Sequence, residues 1–156
     1  MNSEQSPPRL VVPALGGLYE PLAPLAWPLV RFMAGLFLMP HGARKLFGWF
    51  GGGGLDGTAG FFAKVGLEPA MPLAALVGAT EFFGGALIAI GLLTRPAAAA
   101  AFILLAVATF RIHMPNGFFI TSGGYEYAML WGFLMLAIVF RGGGALSLDA
   151  RIGREF

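Results

Sequence analysis

Four long apolar stretches alternate with short segments rich in glycine, proline and charge. The first runs from Leu22 to Ala43 and is interrupted by Arg31. The second runs from Met71 to Leu93 around Glu81, and the third from Pro96 to Met114, opening on the alanines Ala97 to Ala101. The fourth, Ile120 to Phe140, carries Glu126 near its start. Each supplies roughly 19–23 residues, and about 20 span the hydrocarbon core of a bilayer as a helix. The stretches are apolar on every side rather than alternating, which predicts helices and not barrel strands. The expected fold is therefore all-α, an integral membrane four-helix bundle covering 22–141 between tails 1–21 and 142–156.

Proline and glycine punctuate this pattern. Pro21, Pro24 and Pro28 crowd the start of helix one, and Pro72 and Pro96 occupy first turns, where a missing amide hydrogen is tolerated. Pro40 predicts a kink beyond which helical character resumes. The longest connection, between helices one and two, is either an extended loop or an interfacial helix. Asp56 would cap the latter, with Phe61, Phe62 and Val65 on one face. The tight turn Leu93-Thr94-Arg95-Pro96 makes helices two and three antiparallel neighbours.

Composition agrees with a lipid environment. Of 156 residues 57% are hydrophobic and 12% charged, about half the charge fraction of an average soluble domain. With no cysteine, the chain carries no thiolate metal site and no thiol redox chemistry. A net charge of +2 without a basic run leaves no nucleic-acid footprint. Gly51 to Gly54 lacks the lysine of a phosphate-binding loop. An even number of crossings puts both termini on one side, with Arg9, Arg95, Arg141, Arg151 and Arg154 against Arg44, Lys45, Lys64 and Arg111 on the other. That balance predicts cytoplasmic termini.

Ionisable groups at bilayer depth face a partner or a cavity. At the helical rise, Arg31 stands ~12 Å and Glu81 ~18 Å from the terminal surface, which predicts an Arg31–Glu81 ion pair serving as bundle lock or proton relay. Gly35 and Gly42 share a face with Arg31, and Gly78 and Gly85 with Glu81, so these faces should pack closely. A second polar level lies nearer the loops: His41, His113 and Glu126 at ~27, ~25 and ~22 Å. These three are the candidate catalytic residues, with Lys45, Arg111 and Asn116 as candidate substrate contacts. Two histidines and a carboxylate suit a non-haem metal, and two histidines suit haem, but separate helices and the lack of an attachment motif disfavour both. A quinone held between aromatics, its oxygens hydrogen-bonded by His113 and Glu126, fits better.

Three further patterns carry a resemblance: Arg31…Gly35…Gly42…Lys45-Leu46, then Glu81…Gly84-Gly85…Gly91-Leu92-Leu93-Thr94-Arg95, and the closing Gly143-Gly144-Ala145-Leu146-Ser147-Leu148-Asp149. In order and spacing they resemble the DoxX family of small four-helix membrane proteins, over roughly Leu29 to Asp149. The resemblance implies a multi-pass protein of the bacterial inner membrane, described as an oxidoreductase or a subunit of a membrane redox system acting on quinones or related small aromatics. The partners then implied are the bilayer, a quinone and a redox partner subunit. The alternative reading is a non-catalytic accessory or scaffold subunit of a larger complex.

Overall fold

The computed structural model describes residues 9–156; residues 1–8 of the expected N-terminal tail lie outside it. Among the described residues every regular element is helical. A single 3-10 turn, Pro13–Leu15, leads into α1, Gly16–Phe47. Then follow α2, Gly54–Lys64; α3, Ala70–Ile90; α4, Thr94–Asn116; α5, Glu126–Arg141; and α6, Leu148–Ile152. Three helical stretches are long and apolar enough to cross a membrane: Pro13–Phe47, Ala70–Ile90 and Thr94–Asn116. They mark a membrane protein. Beyond them α5 has 16 residues, about 24 Å of helix against a core of about 30 Å.

The helix α1 differs from expectation at its start, and continues past Pro40 as expected, to Phe47. It begins at Gly16 rather than near residue 22, and Pro21, Pro24, Pro28 and Pro40 all lie inside it. In an apolar setting the carbonyls that proline frees are re-satisfied by neighbouring groups, so the helix continues. The connection after α1 contains a helix, as one of the two alternatives has it. Gly53 and not Asp56 holds the N-cap position of α2. Phe62 is buried against Ala59 and Ala74, whereas Phe61 and Val65 are exposed.

Glycine sets the distance between α1 and α3. A Cβ at Gly35 would collide with the backbone of Gly85 and Ala89, and one at Gly42 with that of Gly78 and Phe82. The two glycine faces meet as expected, in an antiparallel register that puts residue 35 against 85–89 and residue 42 against 78–82. The central core, Leu38, Ile88, Ala98, Ala101, Leu105, Met135 and Ile138, joins α1, α3, α4 and α5. Leu29, Phe83, Leu130 and Phe140 are exposed.

The segment after α5 is not a loose tail. The Trp27 indole N–H donates to the Gly142 carbonyl (3.0 Å), and Arg141 stacks on the Trp27 ring, 4.9 Å from its centroid. Residues 142–156 fold back over the end of the bundle where α3 turns into α4, and Arg95 pairs with Glu155 at 3.1 Å.

Candidate functional site

Arg31 does not pair with Glu81. Its guanidinium donates from Nη1 to the carbonyls of Ile88 and Ala89 (2.6 and 2.9 Å) and from Nη2 to Leu146 (2.8 Å). Direction explains the correction. Side chains on a helix lean toward its N-terminus, so Arg31 leans toward the terminal end of the bundle. Glu81, on the antiparallel α3, leans toward the loop end. The glycine register puts Arg31 opposite residue 91, ten positions from Glu81, or ~15 Å along the helix. Arg31 therefore satisfies the free carbonyls at the C-terminus of α3 and ties them to the C-terminal segment.

That segment returns the favour at the next helix start. The Asp149 carboxylate accepts from Leu93 N (2.9 Å), Thr94 N (3.0 Å) and Thr94 Oγ1 (2.7 Å), capping α4 from a distant part of the chain. Burial works to raise the Asp149 carboxyl, but these hydrogen bonds and the Arg31 charge outweigh it and hold the group below the usual aspartate range. Asp149 N also donates to Gly91 O (2.8 Å). Gly91, at φ +74°, faces the Arg31 guanidinium too closely for any side chain. Sequence reasoning assigned no role to Asp149. The signal was available in the triplet Ser147-Leu148-Asp149, a helix-start pattern placed beyond the last apolar stretch.

At the loop end Glu81 has another partner. Its Oε2 accepts from Lys45 Nζ at 2.5 Å, with the Glu81 side chain buried and Lys45 partly exposed. Lys45 leans back along α1 and Glu81 leans back along the antiparallel α3, so the two converge. Glu81 lies in a π-helical turn, Thr80–Gly84. A second π-turn, Ala108–His113, carries His113 on α4. Such turns re-aim a side chain by an extra residue and recur at functional sites.

His113 Nδ1 lies 2.8 Å from the Gly123 carbonyl. A carbonyl only accepts, so Nδ1 is the protonated nitrogen and Nε2 is left for another partner. The His41 ring stands 6.1 Å from that of Tyr127. His41, Lys45, Glu81, His113 and Tyr127 all line one cavity of about 950 Å³, walled otherwise mainly by apolar side chains of α1 to α5, among them Phe37, Phe62, Leu105 and Trp131. Its volume is at the upper end of ligand sites, ~300–1,000 Å³.

The other expected site residues are elsewhere. Glu126 does not line the cavity; its Oε1 accepts from Ile120 N (2.6 Å). Asn116 Nδ2 donates to Gly123 O (3.3 Å) and Ile112 O (3.4 Å), and Arg111 is exposed. Glu126 and Asn116 hold together the 117–125 loop, whose backbone closes through Tyr125 N to Gly117 O and Glu126 N to Phe118 O. This is why α5 begins at Glu126 and not at 120. His41, His113 and Glu126 do not converge into a metal-holding group among the described residues. Glu81 supplies the cavity's carboxylate in place of Glu126.

The DoxX family model matches residues 26–114, more than half of the chain. The chain belongs to the DoxX family. The matched part of this DoxX protein contains Arg31, His41, Lys45, Glu81 and His113, and it ends before Asn116 and Glu126. Two proteins of Haemophilus influenzae, both described as uncharacterized, are similar to it. One is 36% identical over 87 residues, 54% of this chain and 65% of the relative. The other is 33% identical over 70 residues, 45% of this chain and 46% of the relative. The DoxX chain thus spans between about half and two thirds of the length of these relatives. No solved structure matches it.

Proposed function

We propose that this DoxX protein binds a quinone or related small aromatic in the loop-end cavity and takes part in membrane redox chemistry, as an oxidoreductase or as a subunit of one. The observation that carries the reading is the cavity itself: apolar walls around a few polar groups, set among membrane-crossing helices. Leu76 and Ile103 line it and are both exposed, so the cavity is open, which favours a ligand drawn from the hydrocarbon phase. In this reading α5 is the fourth crossing, the membrane is the bacterial inner membrane, and both termini are cytoplasmic.

The roles follow from the hydrogen-bonding inventory. With Nδ1 committed to Gly123, neutral His113 accepts through Nε2 from a quinol hydroxyl, and protonated His113 donates to a quinone oxygen. Lys45 donates to a second oxygen without leaving Glu81, since an ammonium has three hydrogens. Trp131, Tyr127 and Phe37 flank the ring. Quinone reduction consumes two electrons and two protons. The side chains here handle the protons, and the electrons come from a redox partner subunit. Titration of the purified protein with a short-chain ubiquinone tests the reading: micromolar binding that His113→Ala weakens supports it, and no binding at micromolar quinone overturns it.

A further inference from the structure

Charge is unevenly distributed around the cavity. Arg44, Lys45 and Glu81 are its Arg, Lys and carboxylate side chains, and Glu81 is the sole carboxylate among the lining residues. That carboxylate is taken by Lys45. Arg44 therefore brings a positive charge to the wall with no carboxylate paired to it among the described residues. Its backbone and Cβ are well placed, because Gly52 packs so closely on them that position 52 admits no side chain, and its side chain is exposed. An uncompensated cation on the wall of a cleft with apolar sides attracts an anion, since such walls focus its field. A guanidinium also matches a planar oxyanion with paired N–H donors.

We infer that the ligand of this cavity is a monoanionic amphiphile, its single anionic oxygen group against Arg44 and its apolar body among Phe37, Ile103 and Trp131. One negative charge balances the one unpaired positive charge. A second negative charge would find no further unpaired Arg or Lys among the lining residues, since Lys45 is held by Glu81. The inference rests on the reading of the cavity as a binding site and narrows its ligand class. Two sources share this chemistry: an alkyl carboxylate and an acidic hydroxyquinone ionised at neutral pH.

The test uses the full chain in phosphatidylcholine nanodiscs, with binding followed by tryptophan fluorescence, because Trp131 lines the cavity. Two probe pairs are titrated: dodecanoate against methyl dodecanoate, and an ionised hydroxynaphthoquinone against its methyl ether. The anion of at least one pair should bind about tenfold more tightly than its uncharged partner, the scale of one charge-assisted hydrogen bond. In Arg44→Gln that preference should fall to about twofold or less, while Arg44→Lys retains most of it. Partitioning into lipid is the same for each variant and cancels in this comparison. Unchanged binding of the uncharged partners shows the cavity intact, and the pair that responds identifies the source. Equal affinity within both pairs, or a preference that Arg44→Gln leaves unmoved, overturns the inference but leaves the cavity a site for neutral amphiphiles. Failure of all four probes to bind overturns both.

Discussion

Lys45 on α1 and Glu81 in the π-turn of α3 form an ion pair, Nζ to Oε2 2.5 Å, because each leans toward the N-terminus of its own helix and the helices run antiparallel. The pair joins the two helices at the point where the cavity begins. It also spares the membrane interior an isolated carboxylate, which is among the costliest groups to leave there.

Removing one partner should therefore cost more than removing both. Glu81→Gln leaves Lys45 without its counter-charge and should destabilise the protein by about 3 kcal/mol, with part of that recovered in the double variant with Lys45→Met. Glu81→Gln combined with Arg31→Gln should instead be additive to about 0.5 kcal/mol, since Arg31 and Glu81 share no contact. Thermal melting of wild type, the three single variants and the two double variants in one detergent measures both couplings. Strong coupling between positions 31 and 81 would contradict the observed pairing.

Arg31 fastens α3 to the C-terminal segment through three carbonyls. Lysine cannot reach from Ile88 and Ala89 to Leu146 with one ammonium, so Arg31→Lys should lose about 3 kcal/mol despite keeping the charge. Gly91→Ala should be as damaging, because φ is +74° and the added methyl meets the Arg31 guanidinium and the Ser147 Cβ. Protease sensitivity of residues 142–156 in membranes should rise in both variants.

Asp149 makes stability depend on acid. Its carboxyl is held below the ordinary aspartate value of 3.8, so the folded state binds its proton less readily than the unfolded one. The stabilisation is complete above that ordinary value and disappears as pH falls through the lower folded-state value. Wild type should lose stability in that acidic window. Asp149→Asn should be about 1–3 kcal/mol less stable at neutral pH, and its deficit should shrink on acidification. Melting curves from pH 7 to pH 3 decide it; a deficit that stays constant would show that the carboxylate's charge is not what matters.

Glu126 and His113 should separate cleanly. Glu126→Gln keeps an acceptor for Ile120 N–H and should leave quinone affinity within about twofold, since residue 126 does not line the cavity. His113→Ala should weaken affinity about tenfold, the scale of one hydrogen bond to a charged or strongly polar group. Equal losses in the two variants, read by the same titration, would return Glu126 to the site.

Much of the fold was legible along the chain, because a bilayer demands length and apolarity and both are local properties. The stretches around Arg31, Glu81 and Ala97 each lie in a helix that can cross a membrane. The glycines at 35, 42, 78 and 85 announced the close helix pair, since small residues have few other uses on an apolar face. Helix ends were harder. Prolines at 21, 24 and 28 suggested a start that the structure places earlier, and Glu126 begins α5 because it is hydrogen-bonded back to Ile120.

The polar partnerships were not legible in the same way. Depth along each helix was estimated from sequence, but lean and register were not, and they decide who meets whom. By depth Arg31 suited Glu81. By lean and register Arg31 meets the carbonyls of Ile88 and Ala89, while Glu81 meets Lys45. The glycine pairs held the missing register, had 35 been set against 85 and 42 against 78.

The sequence by itself determined that this is a helical membrane protein with few charges and a tightly packed first helix pair, because those features follow from the cost of exposing polar groups to lipid. Tertiary structure alone decided that Asp149 caps a helix 55 positions away in sequence, and that His41, Lys45, Glu81 and His113 share one cavity. These depend on the direction in which side chains leave antiparallel helices and on two π-turns that shift it, which no linear spacing records.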